Sequence, residues 1–294
     1  MMTIALAMLA APASASAQQA PPARTAAAAP LRVLFVGNSF TQGSHSAVRD
    51  WRADSVEDLN GGGNGGVPAL FRRFAEQAGL RYAVSLQVRG GATLGSHLDE
   101  RRALIDRAWD IVVLQEYSTL DPARPGDATA YMRDVARFAA MLRARNPRVR
   151  TFLMPTWTRA DQTYRPQGHW YGKPVSAMAD DLHAAADRAR AATPGLAGVI
   201  PVGKAWNRAF ARHVADPNPY DGTSFGQVNL WAWDHYHASV HGSYLEALVV
   251  FGSITGVDPR TLGAREQAAD ALGIAPAVAV QLQTIAAEQL AFPR

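Results

Sequence analysis

The chain contains no cysteine. Disulfides, catalytic thiols and thiolate metal sites are thereby excluded, and cysteine usage says nothing about redox compartment. Equally absent is any block of about five or six like charges. The net charge of +4 is spread over 294 residues, with arginines scattered among acids, so no nucleic-acid-binding face is expected. Beyond residue 30 nothing approaches the ~18 consecutive apolar residues of a membrane-spanning helix. No internal repeat or linker interrupts the pattern, which makes a single domain the economical organisation. Nothing in the pattern sets an oligomeric state.

What is present indicates a folded globular protein, with 48% apolar and 18% charged residues, and enough chain to bury a sizeable core. Residues 1–30 read as a targeting segment and lead-in. Met1 to Ala11 is apolar apart from Thr3, Pro12 ends the run, and Ala15-Ser16-Ala17 fits a small-residue cleavage site. Gln18 to Pro30 is rich in Ala and Pro. The segment lacks the positive n-region of a signal peptide. The expectation is export to the periplasm or medium, with 31–294 as the folded domain; the alternative is a plain Ala-rich tail.

From Leu31 onward short apolar runs alternate with amphipathic stretches. Strands are expected at Leu31–Val36, Tyr82–Val88, Asp110–Gln115, Arg148–Pro155 and Gly198–Val202, and helices at Val67–Ala78, Leu94–Ala108, Asp127–Arg145 and Val175–Ala191. In Asp127–Arg145, for example, Tyr131, Val135, Phe138 and Leu142 recur at spacings of three and four. About five strands alternating with helices predict a parallel α/β sheet with helices on both faces. Three loops exceed what such a scaffold needs: Gln42–Gly66, Trp157–Lys173 and Trp206–Trp233. The first contains G-x-G-x-x-G at Gly61, Gly63 and Gly66, but the preceding Ser55–Asn60 is polar rather than strand-like, so a flexible loop is expected instead of a dinucleotide site.

Two stretches carry chemistry. Leu31–Val36 runs into a tight Gly37-Asn38 turn that delivers Ser39 beyond the strand end, where ligands bind in open parallel sheets. Near the other end lies Asp234-His235-Tyr236-His237. An Asp three residues before a His, in a bend entering a helix, can orient the imidazole, which then takes the proton of a serine. The alternative is that Asp234 caps a helix and His237 is surface.

G-N-S-F-T after the first strand, G-G-A-T-L after the second, V-V-L-Q-E after the third and D-H-Y-H-A-S-V-H-G-S-Y-L near the end resemble, in order and placement, the four motif blocks of the SGNH (GDSL-type) hydrolase superfamily. The resemblance spans roughly Leu31–Gly256. It implies a flavodoxin-like three-layer α/β/α fold and cofactor-free hydrolysis of esters, often acetyl or acyl esters of sugars and lipids. It further implies Ser39 as nucleophile, His237 as base, Asp234 as its orienter, and an oxyanion hole from the N–H groups of Ser39 and Gly91. Two departures stand out. Asn38 replaces the usual Asp of the first block, and Gln115 stands where the third block supplies an Asn, so its carboxamide is expected as the third donor; the alternative is a strand-end Gln bonding to backbone.

Two other readings stay open. His235, His237 and His241 form H-x-H-x₃-H, which could bind zinc with Glu116 or Asp234 as a carboxylate ligand. Alternatively, exposed tryptophans could hold sugar rings without turnover. Trp109 and Trp206 are expected in the core. Asn38, Trp157, Trp170, Trp233 and Tyr236 are expected to face substrate, with Tyr164, Tyr171 and Trp231 nearby in the same segments. Flat aromatic faces beside charged side chains favour a short-chain, acetyl-type ester of a carbohydrate, with no metal.

Overall fold

A computed structural model describes residues 1–2 and 29–293; the leader expected at 1–30 lies almost wholly outside the described residues. The chain runs β1 (Leu31–Gly37), β2 (Glu57–Asp58), α1 (Gly66–Gln77), β3 (Tyr82–Val88), α2 (Leu94–Glu100), α3 (Arg102–Ile105), β4 (Ile111–Leu114), α4 (Thr129–Arg145), β5 (Arg150–Leu153), α5 (Ala160–Tyr164), α6 (Ala177–Ala192), β6 (Gly198–Val199), α7 (Val202–Ala211), α8 (Val240–Thr255), α9 (Gln267–Ala271) and α10 (Pro276–Gln289). The strands form one sheet in the order β2-β3-β1-β4-β5-β6, every pairing parallel. Without the edge strand β2 this is the flavodoxin-like order, in which the crevice opens where connections from neighbouring strands depart in opposite directions. That place is the carboxyl end of β1 and β4.

Strand periodicity sorts the core into two halves. On β1, Val33 and Phe35 face one cluster with Phe71 and Phe74 of α1, Trp206 of α7, Leu248 of α8 and Leu282 of α10. Leu34 and Val36 face the other, with Leu98 of α2, Phe138 of α4 and Leu182 of α6. Because β1 and β4 are covered on both faces, they read as continuous apolar runs. The stripe of α4 is buried as its spacing predicts: Tyr131, Val135, Phe138 and Leu142 all lie inside. Each such side chain contributes roughly 1.5–3 kcal/mol relative to exposure.

Three expectations change. Arg102 begins a separate short helix, so Leu94–Ala108 is two elements. The fifth expected strand pairs only at Gly198–Val199, and Val202 already opens α7, which carries Trp206 out of the expected loop and onto a helix. Finally, polar Glu57–Asp58 pairs with β3 as a sixth strand. The Gly-rich run that follows is ordered around Asp58: its Oδ2 accepts from Gly62 N (3.1 Å), Asn64 N (3.1 Å) and Asn64 Nδ2 (2.7 Å), and its Oδ1 from Asn60 N (3.0 Å). A carboxylate of the chain itself thus occupies a cradle of N–H groups of the kind that elsewhere binds phosphate. Among the described residues no helix is long and apolar enough to cross a membrane.

Candidate active site

The turn after β1 is held from both neighbouring strand ends. Asn38 N donates to Gln115 Oε1 (2.9 Å), which also accepts from Thr41 Oγ1 (3.0 Å). Asn38 Nδ2 donates to the carbonyls of Ala92 (3.0 Å) and Glu116 (3.3 Å), and Asn38 Oδ1 accepts from Phe40 N (3.2 Å). Behind the turn, the Gly37 carbonyl accepts from Arg89 N (3.2 Å) and His97 Nε2 (2.9 Å). Burial lowers the His97 pKa to about 4, so it is a neutral imidazole with one N–H to give. Gly37 cannot be larger, since a Cβ there would sit 2.6 Å from both Gln115 Oε1 and Thr41 Oγ1. The result is a half-buried Ser39 on a turn with little freedom.

The Asp234–His237 segment is a bend closed by an antiparallel bridge between Trp231 and Ala238. Ala232 N donates to the His237 carbonyl (2.8 Å) and Ser239 N to that of Leu230 (2.8 Å). Helix α8 starts at Val240, and its cap is Ser239, whose side chain accepts from Gly242 N (3.2 Å). Asp234 therefore does not cap the helix. Its Oδ1 accepts from Tyr236 N (3.1 Å) and His237 N (3.0 Å), which leaves Oδ2 for the ring. The bend is tied to the loop after β5: Ala160 N donates to the His235 carbonyl (3.1 Å), Trp231 Nε1 to that of Thr158 (2.9 Å) and Trp157 Nε1 to that of Tyr236 (3.2 Å). Both long loops thus meet at the carboxyl edge of the sheet beside Ser39.

These constraints bring together residues 198 positions apart: His237 Nε2 lies 2.9 Å from Ser39 Oγ, and His237 Nδ1 lies 2.6 Å from Asp234 Oδ2. With the Nδ1 proton shared with the carboxylate, Nε2 is left as an acceptor for the serine proton. Burial lowers the His237 pKa from its ordinary value, against the opposing pull of Asp234. For Asp234, burial pushes upward, but the hydrogen bonds from the His237 ring and from the His237 and Tyr236 N–H groups outweigh it and the pKa falls. At neutral pH the pair is therefore a neutral base beside a carboxylate. Among the described residues neither the Ser39 nor the Gly91 N–H has a protein acceptor. Gly91 has φ +70°, a conformation that suits glycine, and open space where a Cβ would stand.

No protein-family model matches the chain, and no curated protein matches it in sequence. Solved structures do match in shape. A DUF4886 family protein from Bacteroides uniformis is 18% identical, with a TM-score of 0.60 over 90% of this chain and 96% of that one. A protein from Slackia heliotrinireducens assigned to the SGNH hydrolases is 23% identical, with a TM-score of 0.52 over 77% of this chain and 100% of that one. A GDSL-like lipase assignment from Parabacteroides merdae follows at 17% identity and a TM-score of 0.52, over 77% and 95%. The fold is that of the SGNH hydrolases.

Within this SGNH frame several expected site residues lie elsewhere. Gln115, expected as the third oxyanion donor, is fully buried with its amide committed elsewhere: its Oε1 holds the Ser39 turn and its Nε2 donates to the Glu116 carbonyl. Asn38 is 2% exposed and shapes the turn from within, so it does not face substrate. Trp157 is buried and stacked on Trp206 at 4.5 Å, and Trp170 is buried with its Nε1 donated to Asp181 Oδ2 (2.8 Å). Trp231 is likewise core. Both indoles expected in the core, Trp109 and Trp206, are there. Trp233 is different, 76% exposed at the rim. Tyr236 is half-buried, its ring 4.0 Å from that of His237 and covered by the Arg159 guanidinium at 3.8 Å.

The zinc reading is also redrawn. His235 packs on Tyr220 (4.4 Å) and His241 sits in the first turn of α8, while the ligand atoms that converge within 4.8 Å belong to His45, Asp234 and His237. The His45 and His237 rings lie parallel, 4° apart. Their nitrogen lone pairs therefore run side by side, whereas a tetrahedral zinc site needs them to converge. Glu116, the other candidate ligand, turns inward: its Oε1 accepts from Tyr117 N (2.6 Å) and Leu94 N (3.2 Å), and burial pushes its carboxyl up to about 8. Sequence reasoning missed His45 altogether. It lies six residues after Ser39 in a stretch without periodicity, and only the length of its loop marked the region.

Proposed function

We propose that this protein is a serine ester hydrolase acting through an acyl-enzyme. The observation that carries the reading is the continuous chain Ser39 Oγ–His237–Asp234, with spacings of 2.9 and 2.6 Å. His237 Nε2 takes the Ser39 proton as Oγ forms a bond to the ester carbonyl carbon. The negative charge gathers on the carbonyl oxygen, and the N–H groups of Ser39 and Gly91 are free to meet it. As the tetrahedral intermediate collapses, the C–O bond to the alcohol breaks and His237 returns its proton to the departing oxygen. Water, deprotonated by the same nitrogen, then releases the acid and restores Ser39. No step calls on a cofactor.

The substrate half of the proposal is a short acyl, acetyl-type ester of a carbohydrate. It now rests on fewer residues than the sequence suggested, because three of the five expected substrate-facing side chains are buried. What supports it is Trp233, a flat exposed face one residue from Asp234, beside the polar ring of His45. Phe40, the residue after Ser39, packs on Trp157 (4.6 Å) and Tyr236 (5.3 Å), so aromatic rings rather than aliphatic side chains pack beside the serine, which favours a short acyl group. The test is labelling and turnover together. A fluorophosphonate should modify Ser39 in the wild type and not in Ser39→Ala, and Ser39→Ala should lose several orders of magnitude in ester hydrolysis while staying folded. Wild-type turnover by that variant refutes the nucleophile; a clear preference for octanoyl over acetyl esters of one alcohol refutes the acyl assignment.

A further inference from the structure

The loop that follows the nucleophile returns to the base. Gln42 N donates to the Asn38 carbonyl (3.0 Å) and Ser44 N to the Ser39 carbonyl (3.0 Å), so the chain doubles back within six residues. Its end product is His45, which has φ +68°, in the left-handed region that non-glycine residues rarely occupy. Strain of this kind persists only where the surroundings hold it, and it gathers at functional sites. The ring it places lies flat on His237, with centroids 4.4 Å apart and planes 4° apart. It also meets exposed Trp233, tilted by 45°, at 5.1 Å. Its Nε2 is 3.9 Å from Asp234 Oδ2, beyond hydrogen-bond length. The principal contact is thus face to face with the imidazole.

We propose that His45 is a positioning residue for the reaction: its ring, stacked flat on the His237 imidazole, fixes the plane of that imidazole so that Nε2 stays aimed at Ser39 Oγ. The proposal rests on His237 acting as the base. Without the stack, that imidazole is held edgewise by Asp234 and on its inner side by Phe40 (5.4 Å) and Tyr236 (4.0 Å), but its outer face is open to water. Rotation about the Asp234 hydrogen bond would then cost little, and small misalignments of a reacting group are expensive in rate. The polarity of the ring has a second effect. His237 faces Asp234 on its own loop, Tyr236 beside it, Arg159 from the loop after β5 and His45 from the loop after β1; of these, protonated His45 and Arg159 oppose a charge on it.

Two variants separate the stack from the fold. His45→Gly removes the ring and suits the backbone, so it should fold at least as well as the wild type. His45→Phe keeps a flat ring and removes the charge. The expected result for His45→Gly is a loss of at least ~10-fold in kcat on 4-nitrophenyl acetate, with KM little changed and a matching drop in the rate of fluorophosphonate labelling at Ser39. His45→Phe should recover most of kcat. In that variant the acid limb of the kcat profile should move to higher pH, because a neighbour that opposed His237 protonation is gone. A purely structural role would move neither the limb nor the labelling rate. Wild-type kcat and labelling in His45→Gly would overturn the proposal while leaving Ser39 as nucleophile. Absence of Ser39 labelling in the wild type would overturn both.

Discussion

Replacing Asp234 by Asn tests the orientation of His237 without dismantling the bend. Asp234 makes two kinds of contact: Oδ1 accepts two backbone N–H groups at 3.0 and 3.1 Å, and Oδ2 accepts the imidazole at 2.6 Å. An Asn side chain keeps Oδ1 and both backbone bonds, and presents an amide donor where Oδ2 stood. His237 Nδ1 must then accept, its proton moves to Nε2, and the nitrogen facing Ser39 becomes a donor that cannot take the serine proton. In a serine protease triad the same Asp-to-Asn exchange lowers kcat by ~10⁴, which corresponds to about 5.4 kcal/mol of transition-state stabilisation. A loss of that order is expected here, because the tautomer argument depends only on geometry that this site shares. Stability should fall far less, by about 1–3 kcal/mol for one charge-assisted hydrogen bond exchanged for a neutral one. Asp234→Ala should match the loss of kcat yet melt lower, since the two backbone N–H groups lose their acceptor as well. The assays are kcat on 4-nitrophenyl acetate and thermal melting monitored by circular dichroism. An Asn variant that keeps more than a tenth of wild-type kcat would refute the reasoning.

Activity should persist below pH 6.5, because burial lowers the His237 pKa from that value and the neutral base survives further into acid; a kcat profile with its acid midpoint at or above 7 contradicts this. Glu246 is fully buried in α8, burial raises its pKa well above 4.5, and neither carboxyl oxygen has a partner among the described residues. Its folded form holds a proton that the unfolded chain releases, so its contribution to stability falls as pH rises above about 4.5. Glu246→Met should therefore raise the melting temperature, more at pH 8 than at pH 5; a lower melting temperature at pH 8 would point to an unseen partner. Trp233→Ala should leave 4-nitrophenyl acetate turnover within a few-fold of wild type and raise KM for an acetylated glycan, and equal KM values would remove the sugar platform.

Much of the architecture was legible because the sheet interior is apolar on both faces. Tyr82–Val88 appears with the expected bounds, and α4 with its expected stripe. What escaped did so for identifiable reasons. Helix α8 was expected only as the element that the Asp234–His237 bend enters, without bounds, because it is buried without a break from Gly242 to Gly252 and presents no polar face and no period of 3.6 to read. Strand β2 is two polar residues whose pairing is decided by β3 and by the Asp58 cradle. Helix α7 was hidden at its start, because Val202 continues the apolar run that precedes it.

The site shows the same division more sharply. Ser39 could be named from the strand it follows, and Asp234 and His237 from their local spacing of three, while it was the resemblance to the SGNH motif blocks that joined the two stretches. The aromatics could not be sorted that way. Trp157 and Trp233 are each part of an aromatic-rich loop, yet one is fully buried and the other 76% exposed. The difference lies in partners far away in sequence: Trp206 on α7 offers Trp157 a face to stack on, and the bend at Asp234 turns Trp233 outward. Gln115 failed as a donor for a related reason. Its Oε1 accepts from Asn38 N and Thr41 Oγ1 and its Nε2 is donated to the Glu116 carbonyl, on a turn where a Cβ on Gly37 would clash with both Gln115 and Thr41. In this protein the group that closes β4 is therefore spent on rigidity at the Ser39 turn, and in the proposed reaction the developing charge is left to the backbone N–H groups of Ser39 and Gly91.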